Sequence, residues 1–270
     1  MIIGASGTIG KKLKKNLKNK YKLITPKRSA KFDITQIDTM QKYFNNSLDA
    51  VINLSGQMDT NSKMYKTIIK GNQNLIKLSS KLKKKIVIIY LSSNLVYGYS
   101  NKILNEKSKT QPYTKYAKYK LTAEKCYQKT DLNYHIFRLG NIYGEIKREK
   151  NIISNIYNSI LNKNKLYISN INVYRNFISV DDLVRIVTKS LSVNLKHQIY
   201  NIGNENLNLK KIILYFESVF KKEVKFIDQG IKITSLSSQK INTSKILIEL
   251  NMRLKNKMYN YFKNYKKKCI

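Results

Sequence analysis

Gly4-Ala5-Ser6-Gly7-Thr8-Ile9-Gly10 is the stretch on which the reading of this chain turns. Ahead of it stand Met1, Ile2 and Ile3, an apolar stub that reads as the tail of a strand. Behind it, Ile9, Leu13 and Leu17 fall on one helical face while lysines fill the others. A glycine turn between a strand and a helix lets backbone N–H groups approach a diphosphate, which the helix N-terminus favours electrostatically. In that context the pattern predicts a dinucleotide site with Gly4, Ser6, Gly7, Thr8, Ile9 and Gly10 as its phosphate turn.

Working outward, strand-like runs alternate with helical ones. Lys22 to Thr25 reads as a second strand and Ala50 to Leu54 as another. Tyr65 to Leu82 has helical spacing. Ile86 to Leu91 is a continuous apolar run of the kind buried on both faces. A helix around Tyr116 to Tyr127 and a strand from Tyr134 to Leu139 follow. This alternation predicts an α/β fold, a doubly wound parallel sheet of Rossmann type. From Ile146 the pattern is less regular, with short elements expected near Val173 to Val180, Ile199 to Gly203, Leu209 to Phe220 and Val224 to Ile227. Lys255 to Lys268 reads as a basic helix or a frayed tail.

Composition narrows the class. A chain of 270 residues can bury a full core. Two cysteines, Cys126 and Cys269, cannot build a disulfide framework, which predicts a reducing compartment. Two histidines, His135 and His197, leave little material for a zinc site, so no metal is expected. No apolar run has the length of a membrane span, and an N-terminus that enters the fold directly predicts no signal peptide, hence a cytoplasmic protein. The formal net charge of +36 suggests nucleic acid at first sight. However, only six of the 52 basic residues are arginine, and they are spread from end to end, which speaks for compositional drift rather than a binding face.

The chemistry is expected from Tyr116 and Lys120, which share a helix face at i, i+4 spacing. An ammonium beside a phenol favours the phenolate, so Tyr116 is expected to have a lowered pKa and to act as general acid/base. Directly after the apolar run comes Leu91-Ser92-Ser93-Asn94-Leu95-Val96-Tyr97-Gly98. Ser93 thus stands at the C-terminal end of a parallel strand, where open α/β sheets place their ligands.

With these pieces in order, the chain resembles the extended short-chain dehydrogenase/reductases, specifically the NAD-dependent epimerase/dehydratase family that modifies nucleotide sugars. The resemblance runs almost the whole length. It rests on the glycine turn, on Asp33-Ile34 as the pair that touches adenine, and on Asp49 to Leu54 as the "D-x-V-I-x-L" strand. Further along it rests on Ser92 to Gly98 ("S-S-x-x-V-Y-G"), Tyr116 and Lys120 (YxxxK) and Arg138 to Gly144 ("R-x-x-N-v-Y-G"). Arg175 to Asp182 ("R-D-F-I-H-V-D-D") and Tyr200 to Gly203 ("Y-N-I-G") complete the set. The resemblance implies Ser93, Tyr116 and Lys120 as the catalytic triad, with Lys120 also holding the nicotinamide ribose and Leu54 and Ser55 beside the cofactor. It implies Ser93, Asn94, Asn141 and Arg175 as substrate contacts, Arg175 pairing with the nucleotide diphosphate. Arg138 reads instead as a structural ion pair, and Asp181 and Asp182 as helix-capping. Pattern and resemblance together divide the chain into a dinucleotide-binding domain, 1–145, to which parts of 172–203 return, and a smaller mixed α/β substrate-binding region, 146–270. A homodimer is common in the family.

The departures carry information too. Asn94 and Leu95 stand where the family's 4,6-dehydratases have Asp and Glu, which argues against elimination of water. Ile68 stands where the family's "N-x-x-G-T" has Asn. The end of the second expected strand has no acid for a ribose 2′-hydroxyl. It has Lys27, Arg28 and Ser29, which suit a 2′-phosphate, so NADP(H) is favoured with NAD(H) still possible. The function expected is a nucleotide-sugar epimerase or a keto-sugar reductase. The alternative is a non-catalytic dinucleotide-binding relative acting as an RNA-binding or assembly factor, which the retained Ser93, Tyr116 and Lys120 argue against.

Overall fold

The computed structural model describes residues 1–29, 31–56, 60–144, 151–162, 164–196, 198–229 and 239–269. In chain order the first half runs β1 (Ile2–Ile3), α1 (Thr8–Leu17), α2 (Ile37–Gln41), β2 (Ala50–Asn53), α3 (Asn61–Tyr65), a π-helical turn (Lys66–Lys70), α4 (Gly71–Ser79), β3 (Val87–Ser93), a 3-10 turn (Asn94–Tyr97), β4 (Ser100–Leu104), α5 (Lys115–Gln128) and β5 (Asn133–Leu139). The second half runs β6 (Asn141–Tyr143), α6 (Ile152–Asn162), β7 (Leu166–Ile168), β8 (Tyr174–Ser179), α7 (Val180–Ser190), β9 (Ile199–Ile202), β10 (Glu205–Asn208), α8 (Leu209–Phe220), β11 (Phe226–Asp228), β12 (Gln239–Ile241), α9 (Ser244–Glu249) and α10 (Met258–Cys269).

The central sheet has the order β1-β2-β3-β5-β9, and every pair in it is parallel. Successive residues of a strand face opposite sides, and β3 shows what this does to an apolar run. Ile88 and Tyr90 pack with Leu75, Leu78, Ala123 and Tyr127, on the side covered by α4 and α5. Ile89 and Leu91 pack with Leu13 and Leu17 of α1 and Leu183, Ile186 and Val187 of α7. The sheet is therefore covered on both faces, the doubly wound arrangement read from the sequence. A third cluster, including Phe177, Ile212, Phe216, Met258 and Phe262, draws on β8, α8 and α10 beside a β10-β8-β6 sheet. The expected domain boundary at 145/146 lies outside the described residues.

One expectation changes, and one left open between two forms is decided. Lys22 to Thr25 does not form a strand, although the Ile2 N–H donates to the Ile24 carbonyl at 2.8 Å and Leu23 and Ile24 pack against the core. The reason is the shortness of β1, whose two residues leave little edge for a ladder. The basic C-terminal stretch, in turn, is helical in α10, because Met258 and Phe262 bury themselves in the third cluster.

What locks α5 in place is a buried ion pair. Arg138 of β5 donates to Glu124 of α5 through Nη2 at 2.6 Å, and the Ser92 hydroxyl donates to the same carboxylate at 2.5 Å. The two side chains are 4% and 0% exposed. The guanidinium also lies 4.7 Å from the Tyr97 ring centre. Arg138 is thus structural, as its reading had it. Breaking one partner of a buried pair strands the other charge. Glu124→Ala should therefore lower the urea-derived stability by about 3–5 kcal/mol. A loss under about 1 kcal/mol would contradict the locking role.

Candidate active site

The glycine turn builds one wall of the site. Gly4 has φ +82°, open to glycine at no cost, and a Cβ on Gly10 would lie 2.5 Å from the Gly4 carbonyl oxygen and from the Ala5 Cα. The turn can close against α1 only because both are glycine. Gly7 caps α1 without a side-chain bond, and no acid stands in the first helical turn. The first N–H groups of a ten-residue helix are therefore open to an anion.

A cleft of about 330 Å³ opens beside this turn. Its lining includes Gly4, Ser6, Gly7, Arg28, Asp33, Ile34, Leu54 and Ser55, all named from the sequence. Thr8, Ile9 and Gly10 begin α1 behind it. The sequence reading missed Pro26, Phe32, Gly56, Lys63 and Thr67, which complete the walls. Asp33 accepts from the Thr35 N–H at 2.8 Å and from Arg28 Nε at 3.3 Å. Burial works against its charge, but the Thr35 bonds and the Arg28 guanidinium outweigh it and hold the carboxyl below its ordinary range. The Arg28 side chain is 71% exposed at the cleft. Open helix N–H groups, a glycine cradle with no room for a side chain and a cleft beside it fit a dinucleotide, with the diphosphate at the turn.

Ser93, Tyr116 and Lys120 lie outside the cleft lining; α5 is capped by Thr114, whose hydroxyl accepts the Ala117 N–H at 3.1 Å. That cap sets Tyr116 in the first turn and Lys120 one turn later. Lys120 is 3% exposed, with its ammonium 2.7 Å from the Leu91 carbonyl oxygen and 3.4 Å from that of Ser55. It lies 4.8 Å from the Tyr90 ring centre and 5.7 Å from that of Tyr116. One side chain thus ties the cleft wall at Ser55 to the strand end that carries Ser93. Ser93 itself is buried and accepts the Leu95 N–H at 3.2 Å.

The expected direction for Tyr116 is reversed. Burial pushes its phenol up to about 12. The ammonium is drawn toward two carbonyls rather than the phenol, and burial pulls Lys120 itself down to about 7, with Glu124 acting in the opposite sense. The resting pair is a neutral phenol beside a lysine that titrates near neutrality.

The other candidates take these positions. Asn94 starts the 3-10 turn, 2% exposed, with its Nδ2 unpaired among the described residues and its carbonyl accepting from Gln239 Nε2 at 2.9 Å. Asn141 donates to the Asn176 carbonyl at 3.1 Å. Arg175 donates to the Tyr174 carbonyl at 2.8 Å and lies 4.9 Å from the Tyr99 ring centre. Ile68 sits in the π-helical turn beneath Gly56, where an added Cβ would come 2.6 Å from its Cγ1. An apolar plug thus replaces the family's amide. Asp182 receives the Lys255 and Asn256 N–H groups and pairs with Arg185, and Asp181 pairs with Lys12, so both are structural. A buried network also escaped the sequence reading. The Ser55 hydroxyl donates to Asn53 Oδ1 at 2.6 Å, Asn53 to Asn72 Oδ1 at 2.9 Å, and Tyr127 to the same oxygen at 2.7 Å. The lone polar residue in Ala50-Val51-Ile52-Asn53-Leu54 was its signal, since a buried amide demands partners.

Residues 1–203 match the family described as NAD dependent epimerase/dehydratase family. The chain belongs to this family. A curated relative, the N-acetyl-alpha-D-glucosaminyl-diphospho-ditrans,octacis-undecaprenol 4-epimerase of Escherichia coli O157:H7, is 25% identical over 249 residues, 83% of this chain and 73% of its own. Among solved structures, the UDP-glucose 4-epimerase of Thermotoga maritima with UDP-glucose is 19% identical, with a TM-score of 0.83 over 99% of this chain and 98% of that one. RMD from Pseudomonas aeruginosa complexed with NADPH is 18% identical, with a TM-score of 0.83 over 97% and 95%. These two share the fold. Among the described residues, no group of three or more His, Cys, Asp or Glu is placed to hold a metal ion, and no helix is long and apolar enough to cross a membrane.

Lys120 leaves a mark on stability. Its pKa falls from 10.5 to about 7 on folding. The unfolded chain then binds more protons between those values, so this residue's destabilising effect is full below about pH 7 and fades as pH rises toward 10.5. Lys120→Met should raise the thermal midpoint at pH 6 and raise it progressively less toward pH 10. A shift independent of pH, or a lower midpoint at pH 6, would contradict the burial of a charge here.

Proposed function

We propose that the protein is an NAD(P)-dependent nucleotide-sugar epimerase or keto-sugar reductase that moves hydride at a sugar carbon, with Tyr116 as general acid/base. One observation carries the reading: the Lys120 ammonium spans from the Ser55 carbonyl in the cleft wall to the Leu91 carbonyl at the base of Ser93, with the Tyr116 ring beside it. A dinucleotide cleft and a proton-transfer group are thereby joined through one side chain.

The nicotinamide ring of a bound cofactor supplies the hydride acceptor and donor. The rest falls to this chain. The α1 N-terminus and the glycine turn would hold the diphosphate, and Asp33 and Ile34 the adenine side. Lys120 would hold the nicotinamide ribose. Ser93 would orient the sugar oxygen. A neutral Tyr116 phenol, its resting form, gives its proton to a carbonyl oxygen that is being reduced. In the opposite direction the sugar hydroxyl returns its proton to the phenolate as its C–H bond breaks. An epimerase runs both halves and consumes no cofactor; a reductase runs one and consumes it. Asn94, Asn141 and the Arg175 guanidinium are proposed for the nucleotide-sugar side. Asn94 and Leu95 supply no acid–base pair for dehydration.

For the cofactor we propose NADP(H). Arg28 lines the cleft and shares its guanidinium with Asp33 at a long 3.3 Å, which leaves donors for a 2′-phosphate. NADPH should bind more tightly than NADH in a fluorescence titration, and Arg28→Ala should erase most of the difference. Equal affinities in the unaltered protein would rule the preference out. For the reaction, Tyr116→Phe should cut kcat by about 10²–10⁴-fold while NADPH affinity stays close to unchanged. Screening UDP-, GDP-, CDP- and dTDP-sugars with product NMR supplies the substrate, and following NADPH absorbance tells epimerase from reductase. Full activity in Tyr116→Phe would overturn the assignment.

A further inference from the structure

We propose that the ring of Tyr90 is the floor that holds the Lys120 ammonium in place, which makes Tyr90 a positioning residue for the Tyr116–Lys120 pair. The inference rests on the catalytic reading of Lys120 given above. Tyr90 lies in β3 and is wholly buried. The Lys120 ammonium stands 4.8 Å from its ring centre, closer than to the Tyr116 ring at 5.7 Å. Both distances lie inside the reach of a cation over an aromatic face. Two of the three ammonium donors have carbonyl partners, at Leu91 and Ser55. At 3% exposure the ammonium has little contact with bulk water, and the face of Tyr90 lies within its reach.

Among the described residues the hydroxyl of Tyr90 has no hydrogen-bond partner, so its contribution to Lys120 passes through the ring. The ring is itself held: it packs 5.4 Å from Tyr127, whose hydroxyl is anchored on Asn72. The charged and titratable groups near the pair come from few elements. From α5 they are Glu124, Tyr116, Cys126 and Tyr127; from β5 there is Arg138. Glu124 is the acid that favours the charged lysine, yet its oxygens are already engaged by Arg138 and Ser92. The face of Tyr90 is what remains to offset the loss of water around the ammonium.

The test keeps shape constant and varies the ring's electron density. Phenylalanine and its mono-, di- and trifluorinated analogues are placed at position 90. The Lys120 titration is then read by NMR on protein carrying ¹³Cε-lysine, with Lys120→Met to assign the signal. Tyr90→Phe should leave the Lys120 pKa unchanged and the thermal midpoint equal or higher, since an unpaired buried hydroxyl is lost. Each added fluorine should lower the pKa, by about one unit in all, equivalent to about 1.4 kcal/mol. In the active enzyme the alkaline limb of the pH–rate profile should move down in parallel. An identical Lys120 pKa in the phenylalanine and trifluorophenylalanine proteins would overturn the proposal. The titration is read without turnover, so this result is independent of the sugar reaction, which Tyr116→Phe tests.

Discussion

The site depends on an ammonium group held where water is excluded. Lys120 reaches from α5 across the top of the sheet and hydrogen-bonds to the carbonyls of Leu91 and Ser55. To place a charge there, the fold fixes everything around it. Thr114 caps the helix so that Lys120 points inward. The Glu124–Arg138 pair clamps the same helix to β3 and β5. The Asn53–Asn72–Tyr127 network holds Ser55, and with it the wall of the cleft. The Glu124 carboxylate and the Asn53 and Asn72 amide oxygens have their partners in place, and such networks favour a single geometry because a half-satisfied alternative is expensive.

That geometry also explains how Tyr116 and Lys120 rest. In water, an ammonium near a phenol would stabilise the phenolate. Here burial dominates both groups in the direction that disfavours charge, so the phenol is pushed up and the lysine pulled down. At rest the phenol is neutral and the lysine titrates near neutrality, close to a cleft that offers open helix N–H groups.

Much of this was legible in the chain. The order of the glycine turn, the apolar run Ile86 to Leu91, Ser93, and the Tyr116–Lys120 spacing carried the sheet and its two covered faces, and the family motifs carried most, though not all, of the cleft lining between Gly4 and Ser55. Spacing placed Tyr116 and Lys120 on one helix because i, i+4 geometry is local. What was not legible was non-local. The pKa of Tyr116 depends on what buries it, and that comes from other elements. The failed strand at Lys22 to Thr25 depends on the length of its neighbour β1. The Ile68 plug was visible as a departure, but only packing shows that it fills the space beneath Gly56. Lys63 and Thr67 reach the cleft from a helix and a π-helical turn whose spacing gave no hint of it.

The central claim is that the Lys120 ammonium joins the cofactor cleft to the proton-transfer group. A crystal structure with bound NADPH tests it most directly. The account predicts the diphosphate against the Gly4–Gly10 turn and the nicotinamide half of the cofactor beside Tyr116 and Lys120. A dinucleotide bound elsewhere, or one whose nicotinamide half points away from Lys120, would contradict it.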